Sequence, residues 1–465
     1  MAATLLGAPG RAAALPDGRP NILFIWTDQL TRTAMSHAGN ADVRTPAIDS
    51  IAREGVVFDR AFSNNPICVP SRTSWITAQM SHRTTVTFNV DKHAIAAPPM
   101  SRLLKSAGYD TGYVGKWHIP HPAGDREWHG FDYVRHARAN RLDPDLPGAC
   151  AEFLRKKRTQ PFFLVASFVD PHDICEWARM ESGIKDEFKN GSIPPPPPPE
   201  RCPPLPANFA IPAGEPEVIR QLAAADPRTY PTPHWPEGNW RQYLWAYHRL
   251  IELVDARIGQ VLQSLRDAGQ DENTVVIFAS DHGDGTAAHH WGQKTIFYEE
   301  VVGIPFIVRP PRCARAGVRD ASNLVSMNLD FFPTVFDYAG IAAPAGLPGR
   351  SVRPLVEGRP GAAGHEFVIG QNDLAPVDQK SGGVYGRMVR TPRHKYIRYS
   401  AGQRREQFFD LALDPGEMND LTGDTAQREE LARHRAILDQ WMKREGDPFP
   451  HPACAEDLRS PPISA

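Results

Sequence analysis

Three short apolar runs, each stopping at ionisable residues, constrain this 465-residue chain more than any other feature. Asn21–Trp26 (NILFIW) ends at Thr27-Asp28-Gln29. Pro161–Phe168 (PFFLVASF) is followed by Asp170-Pro171-His172. Thr274–Ala279 (TVVIFA) gives way to Ser280-Asp281-His282-Gly283-Asp284. Apolar runs this short, without polar alternation, are read as strands buried on both faces. Ile304–Val308 is a fourth, and Asp110–Val114 is a strand leading into Gly115-Lys116-Trp117-His118. Helical stretches lie between them: Thr45–Phe58, opened by Thr45-Pro46, then Ser71–Ala78, Ser101–Gly108 and Trp240–Leu265. In the last, Tyr243, Tyr247, Leu250, Val254, Ile258 and Leu262 recur at helical spacing. Strand, polar tip and helix in repetition predict an α/β fold: a large, mainly parallel (mixed) sheet sandwiched by helices. Ligands of such sheets gather at the carboxyl ends of the strands, where the ionisable residues fall.

After about residue 355 the texture changes. Val384–Arg390 and Lys395–Tyr399 read as antiparallel strands and Ala426–Lys443 as a terminal helix. The chain is therefore divided into residues 1–20, 21–355 (a catalytic α/β domain) and 356–465 (a smaller α+β C-terminal domain with an antiparallel sheet). Met1–Ala14 is similar to the rear of an export signal without its charged front end. Residues 1–20 are read as a leader remnant or a flexible N-terminus. A periplasmic or secreted location is expected, with a cytoplasmic one as the alternative. Prolines number 45, and Pro194–Pro199 are consecutive, which predicts a rigid polyproline surface loop. A net charge of −2 argues for no nucleic-acid partner. No apolar run approaches the roughly 18–20 residues of a membrane span. The six cysteines form no Cys-x-x-Cys pair, and their number demands no disulfide.

Taken singly, the tip residues have ordinary uses: Asp28 as a cap, Asp281-His282-Gly283 as a turn, Lys116 as a solvated charge, His118 and His172 in packing. One of the cysteines changes the weighing. Cys68-Val69-Pro70-Ser71-Arg72 places cysteine two before proline and four before arginine. This run resembles the core of the sulfatase signature. Over residues 21–445 the chain is similar to the type I, formylglycine-dependent sulfatase family of the alkaline-phosphatase-like superfamily. Asp28-Gln29 resembles the first metal segment of that family and Asp281-His282-Gly283 the second. Gly115-Lys116-Trp117-His118 resembles its Gly-Lys-x-His segment, Pro171-His172 its later histidine, and Lys294 its late lysine. The tail, through Phe409-Asp410-Leu411 and Asp414-Pro415-Gly416-Glu417, is similar to its C-terminal domain. The signature normally continues Leu-Thr-Gly-Arg. Here it reads Ile76-Thr77-Ala78-Gln79, and alanine for glycine predicts a slightly different turn.

The resemblance implies an alkaline-phosphatase-like fold and hydrolysis of a sulfate monoester. It implies that a formylglycine-generating enzyme oxidises Cys68 to an aldehyde, whose hydrate attacks sulfur. Asp28, Gln29, position 68, Asp281 and His282 would hold one divalent cation. Oxygen donors favour Ca²⁺, and the histidine leaves Mg²⁺ or Mn²⁺ open. Lys116, Lys294 and Arg72 would face the anionic ester. His172 is the candidate acid for the leaving group, and His118 the base that regenerates the aldehyde. Asn89 resembles an asparagine found in several branches. Trp177 and Arg179, just beyond His172, are candidates to stack on a sugar ring and pair with its anionic groups. A sulfated saccharide is the expected substrate. Alternatives are a choline or aryl sulfate, a phosphonate monoester or phosphodiester, or an inactive sulfatase-like binding protein. Lys116 and His118 favour sulfate over phosphonate.

Overall fold

The computed structural model describes residues 18–89, 95–136, 143–225, 229–374 and 384–449. Its strands in chain order are β1 (Asn21–Asp28), β2 (Val56–Phe58), β3 (Ala61–Phe62), β4 (Asp110–Gly115), β5 (Tyr133–Arg135), β6 (Phe162–Pro171), β7 (Thr274–Ser280), β8 (Phe306–Arg309), β9 (Val318–Asp320), β10 (Val325–Ser326), β11 (Val368–Asp373), β12 (Tyr385–Arg390), β13 (His394–Tyr399) and β14 (Glu406–Asp410). Eight of them form one sheet in the order β5-β4-β6-β1-β7-β8-β2-β9. β1 is central and runs parallel to both neighbours, with Phe24 opposite Val165 and Ile277.

Every residue of β1, β6 and β7 is buried, which is why their sequences do not alternate. Successive side chains still diverge. Leu23 and Ile25 join the core under the long helix Glu237–Asp267. Ile22, Phe24 and Trp26 enter the opposite core, with the helices Cys68–Thr77 and Met327–Ala339. The sheet is mixed because β8 runs antiparallel to both β7 and β2. The stretch expected as one helix, Thr45–Phe58, divides. The helix covers Pro46–Glu54, and the β-branched Val56-Val57 then enter β2.

β11 to β14 make a separate antiparallel sheet in sequential order. It packs against the terminal helix Arg428–Glu445. The polyproline stretch runs over the start of the long helix, where Gln242 Nε2 donates to Pro197 O at 3.0 Å and Arg241 Nε to Pro203 O at 3.0 Å. Among the described residues no helix is long and apolar enough to cross a membrane. Cys68, Cys150, Cys175, Cys202 and Cys313 are free thiols. Cys454 and the leader reading of residues 1–17 lie outside the described residues.

Thr45 makes no side-chain cap for the Pro46–Glu54 helix. Asp255, on the long helix, accepts from Ala47 N at 3.1 Å and Ile48 N at 2.8 Å instead. This joins two elements about 200 residues apart through orphan helix donors. Asp255→Ala leaves both donors unpaired, the Ile48 one fully buried and the Ala47 one partly so. It is expected to cost about 1–3 kcal/mol in denaturant unfolding, and a loss within error of zero would refute this cap.

Candidate active site

Four adjacent strands deliver their tips to one place. β4 contributes Lys116 and His118, β6 His172, β1 Asp28 and Gln29, and β7 Asp281 and His282. Two glycines permit the approach. A Cβ on Gly115 (φ 113°) would lie 1.9 Å from Ser167 O, and one on Gly283 would lie 2.0 Å from Glu300 O. Gln29 (φ 70°) and His118 (φ 46°) take the left-handed conformation without being glycine. Strain of this kind is held where the surroundings over-determine the backbone.

Cys68 begins the helix Cys68–Thr77, all ten residues of which are buried. Its Sγ lies 3.0 Å from Lys294 Nζ, 3.2 Å from His282 Nε2 and 3.7 Å from Asp28 Oδ1. Burial and Asp28 push the thiol up, but Lys294, Lys116 and His282 outweigh them and hold it well below its ordinary range. The helix N-terminus adds to that cationic field. Position 68 is thus built to carry negative charge.

Arg72, one turn later and fully buried, bridges the carboxylates. Nε reaches Asp281 Oδ2 at 2.9 Å and Nη2 reaches Asp28 Oδ2 at 3.0 Å. Nη1 donates to Lys116 O at 3.0 Å and Ser167 Oγ at 2.8 Å. Its guanidinium is therefore directed at the protein. Lys116 Nζ lies 2.7 Å from Asp28 Oδ2, and Lys294 Nζ donates to Gln29 Oε1 at 3.1 Å. Burial lowers the pKa of His118. Burial, then Lys116 and Lys294, push His172 down to about 4, so its imidazole is neutral near pH 7.

A buried cysteine in a cationic pocket, carboxylates at neighbouring strand tips and two lysines fit hydrolysis of an anionic ester. The Sulfatase family model matches residues 20–341, and the model for N-sulphoglucosamine sulphohydrolase, C-terminal, matches residues 287–443. The chain belongs to the sulfatase family. It is a sulfuric ester hydrolase. The Delta 4,5-hexuronate-2-O-sulfatase of Bacteroides thetaiotaomicron is 30% identical over 94% of this chain and 92% of its own length. The N-acetylglucosamine-6-O-sulfatase of the same organism is 26% identical over 93% and 88%. A solved 2-O GAG sulfatase superposes with a TM-score of 0.81 at 28% identity, covering 95% of each chain.

Other residues expected in this sulfatase site lie elsewhere or act differently. Asn89 Oδ1 accepts from Val69 N at 2.9 Å, so it caps the Cys68–Thr77 helix. Trp177 is 3% exposed and packs edge-on to Trp235 and Tyr243, which places it in the core and not on a sugar-facing surface. Arg179 pairs through Nη2 with Glu176 at 3.1 Å and through Nε with Asp186 at 2.6 Å, so two of its three nitrogens are turned to carboxylates of the protein. Ala78, where the signature normally has glycine, adopts a left-handed cap (φ 50°), a conformation that glycine takes without strain. Sequence reasoning missed Ser167 and Glu176. It had Asp284 in view without a role. Asp284 accepts from Gln29 Nε2 at 2.8 Å, which turns Gln29 Oε1 into the pocket.

The donors fit a hard divalent cation. Ligand atoms of Asp28, Cys68, Asp281 and His282 lie within 4.8 Å of one another, all buried. Burial and the adjacent Asp28 push Asp281 up to about 7, a sign of crowded negative charge that a cation would relieve. His282 Nδ1 donates to Gly283 O at 2.8 Å, which leaves the Nε2 lone pair toward the pocket.

Arg72→Met removes the shared partner of two buried carboxylates. A loss of about 3–5 kcal/mol in equilibrium unfolding is expected, with a stability within about 1 kcal/mol of the parent as the outcome that contradicts it.

Proposed function

We propose that this sulfatase cleaves a sulfate monoester on a saccharide, using formylglycine made from Cys68 and one divalent cation, most favourably Ca²⁺. The observation that carries this reading is the position of Cys68: at a helix N-terminus, 3.0 Å from Lys294 Nζ, inside the Asp28, Asp281 and His282 cluster. Asp28, Asp281, His282 and the Gln29 amide oxygen would hold the cation. When present, the cation draws charge from the ester oxygens and the hydrated aldehyde supplies the attacking hydroxyl. A fully buried cysteine is out of reach of another enzyme, so the formylglycine-generating enzyme must act before this helix packs.

Lys116 and Lys294 receive the sulfate oxygens from two sides. His172 gives its proton to the leaving oxygen as the sulfur–oxygen bond breaks. His118 takes the proton whose loss regenerates the aldehyde. Burial, then Lys116 and Lys294, disfavour the charged form of His172. An ester anion seated between those lysines offsets their share of that shift and so favours the charged acid.

The named activities of the relatives support a saccharide substrate, with 2-O-sulfated unsaturated hexuronate first to test. Phosphonate monoester hydrolase of Agrobacterium radiobacter shares the fold at 19% identity, and Lys116 and His118 favour sulfate.

Cys68→Ala is expected to abolish turnover and leave thermal unfolding intact. Peptide mass analysis of active protein should find residue 68 without its sulfur. Active protein with an intact cysteine would end the formylglycine reading.

Across a panel of sulfated disaccharides, choline sulfate, 4-nitrophenyl sulfate and a phosphonate monoester, a saccharide is expected to lead in kcat/KM by about 100-fold. Choline sulfate or the phosphonate leading instead would overturn it.

A further inference from the structure

The helix Ile174–Glu181 follows His172 directly, and its first turn carries Glu176, which is 1% exposed. Glu176 is clamped on one side. Its Oε1 accepts from Lys189 Nζ at 2.6 Å and faces Arg179 Nη2 at 3.1 Å. The clamp is itself anchored: Arg179 Nε donates to Asp186 Oδ2 at 2.6 Å, and Lys189 N and Asn190 N donate to Asp173 Oδ2 at 2.7 and 2.8 Å.

The other oxygen, Oε2, is buried with no hydrogen-bond partner. So is His172 Nδ1, and the two atoms lie 3.7 Å apart. A buried carboxylate oxygen left without a donor is costly. Here it faces an equally unpartnered imidazole nitrogen. A separation just beyond hydrogen-bond reach is common in empty catalytic sites and tightens when substrate is bound. A proton on Nδ1 leaves Nε2 for the side of Cys68, with which His172 interacts.

We propose that Glu176 is the positioning residue of the proton donor: it holds His172 with Nδ1 protonated and Nε2 toward position 68, and it stabilises the imidazolium. This rests on the reading of His172 as the acid for the leaving group. Burial pushes Glu176 up, but His172 when charged, together with Lys189 and Arg179, holds it below its ordinary range. Lys189 and Arg179 neutralise Oε1 and fix its place, leaving Oε2 to the imidazole. The arrangement follows the logic by which a buried carboxylate sets the tautomer of a catalytic histidine.

The test uses the mature, metal-loaded enzyme and two aryl esters, 4-nitrophenyl sulfate and phenyl sulfate. The first leaves readily without a proton and the second needs one, and neither depends on the saccharide assignment. For Glu176→Gln, kcat on phenyl sulfate should fall about 10–100-fold with KM nearly unchanged. The loss on 4-nitrophenyl sulfate should be at least about ten-fold smaller. Equal losses on both esters, a change confined to KM, or no loss overturns the proposal. His172→Ala runs alongside. If it shows the leaving-group dependence and Glu176→Gln does not, the acid reading stands and this proposal fails. If His172→Ala loses both substrates equally, the acid reading fails and takes the proposal with it. Should the Gln variant not fold, Glu176→Asp keeps the charge for Lys189 and Arg179 but withdraws Oε2 from Nδ1. It should show the same selective loss, and equal losses there overturn the proposal.

Discussion

The guanidinium of Arg72, gripped between Asp28 and Asp281, is the contact on which the rest of the site depends. Two carboxylates with no access to water repel each other strongly unless a charge stands between them. Arg72 supplies that charge with a planar fork, and the ring of Trp26 lies 4.5 Å beneath it. The same group reaches Lys116 O and Ser167 Oγ, so one side chain ties β1, β4, β6 and the loop after β7. Cys68 and Arg72 are four residues apart on one helix and share a face. The grip on Arg72 therefore aims position 68 as well. Arg72 was expected to face the ester. The structure turns it toward the protein, onto Asp28, Asp281, Lys116 O and Ser167 Oγ.

The strand tips were legible because their signal is local: an apolar run, then an abrupt ionisable residue. The two faces of β1 were not separable in sequence, since both are buried. The reversed direction of β8 leaves no local trace either, because a buried run reads the same in both directions. Asn89, Trp177 and Arg179 were assigned from proximity or resemblance. Each is held by a partner that the fold, not sequence adjacency, supplies: Val69 N for Asn89, Trp235 for Trp177, Asp186 for Arg179. Glu176 stood in plain view one turn beyond His172. Its significance needs Lys189, which only the fold brings within 2.6 Å.

The four-stranded sheet is bound to the chemistry rather than appended to it. Lys395 of β13 is fully buried and pairs with Glu299 at 3.0 Å and Glu417 at 2.7 Å, while donating to Phe297 O at 2.8 Å. Arg390 of β12 and Arg32 reach the same Glu299. Asn372 of β11 donates to Thr295 O. All these contacts grip the segment that follows Lys294, whose neighbours Gln293 (φ 73°) and Thr295 (φ 90°) are held in left-handed conformations. A loop so strained keeps its shape only while it is held on several sides. The position of the Lys294 ammonium beside Cys68 is thus set in part by residues about 80 to 120 places further along the chain.

Two demands on the proposed chemistry conflict. Holding a sulfate requires cations, and Lys116 and Lys294 provide them. Protonating a leaving group requires a charged imidazole, and those same lysines discharge His172, with burial acting the same way. A site tuned for either task alone would fail at the other. An anion between the lysines offsets their part of the shift while burial persists, and Glu176 stands ready with a carboxylate oxygen 3.7 Å from His172 Nδ1. A bound ester therefore favours proton donation by easing one of the two influences that discharge His172. The substrate's own charge is in this way part of the electrostatics on which the proposed acid depends.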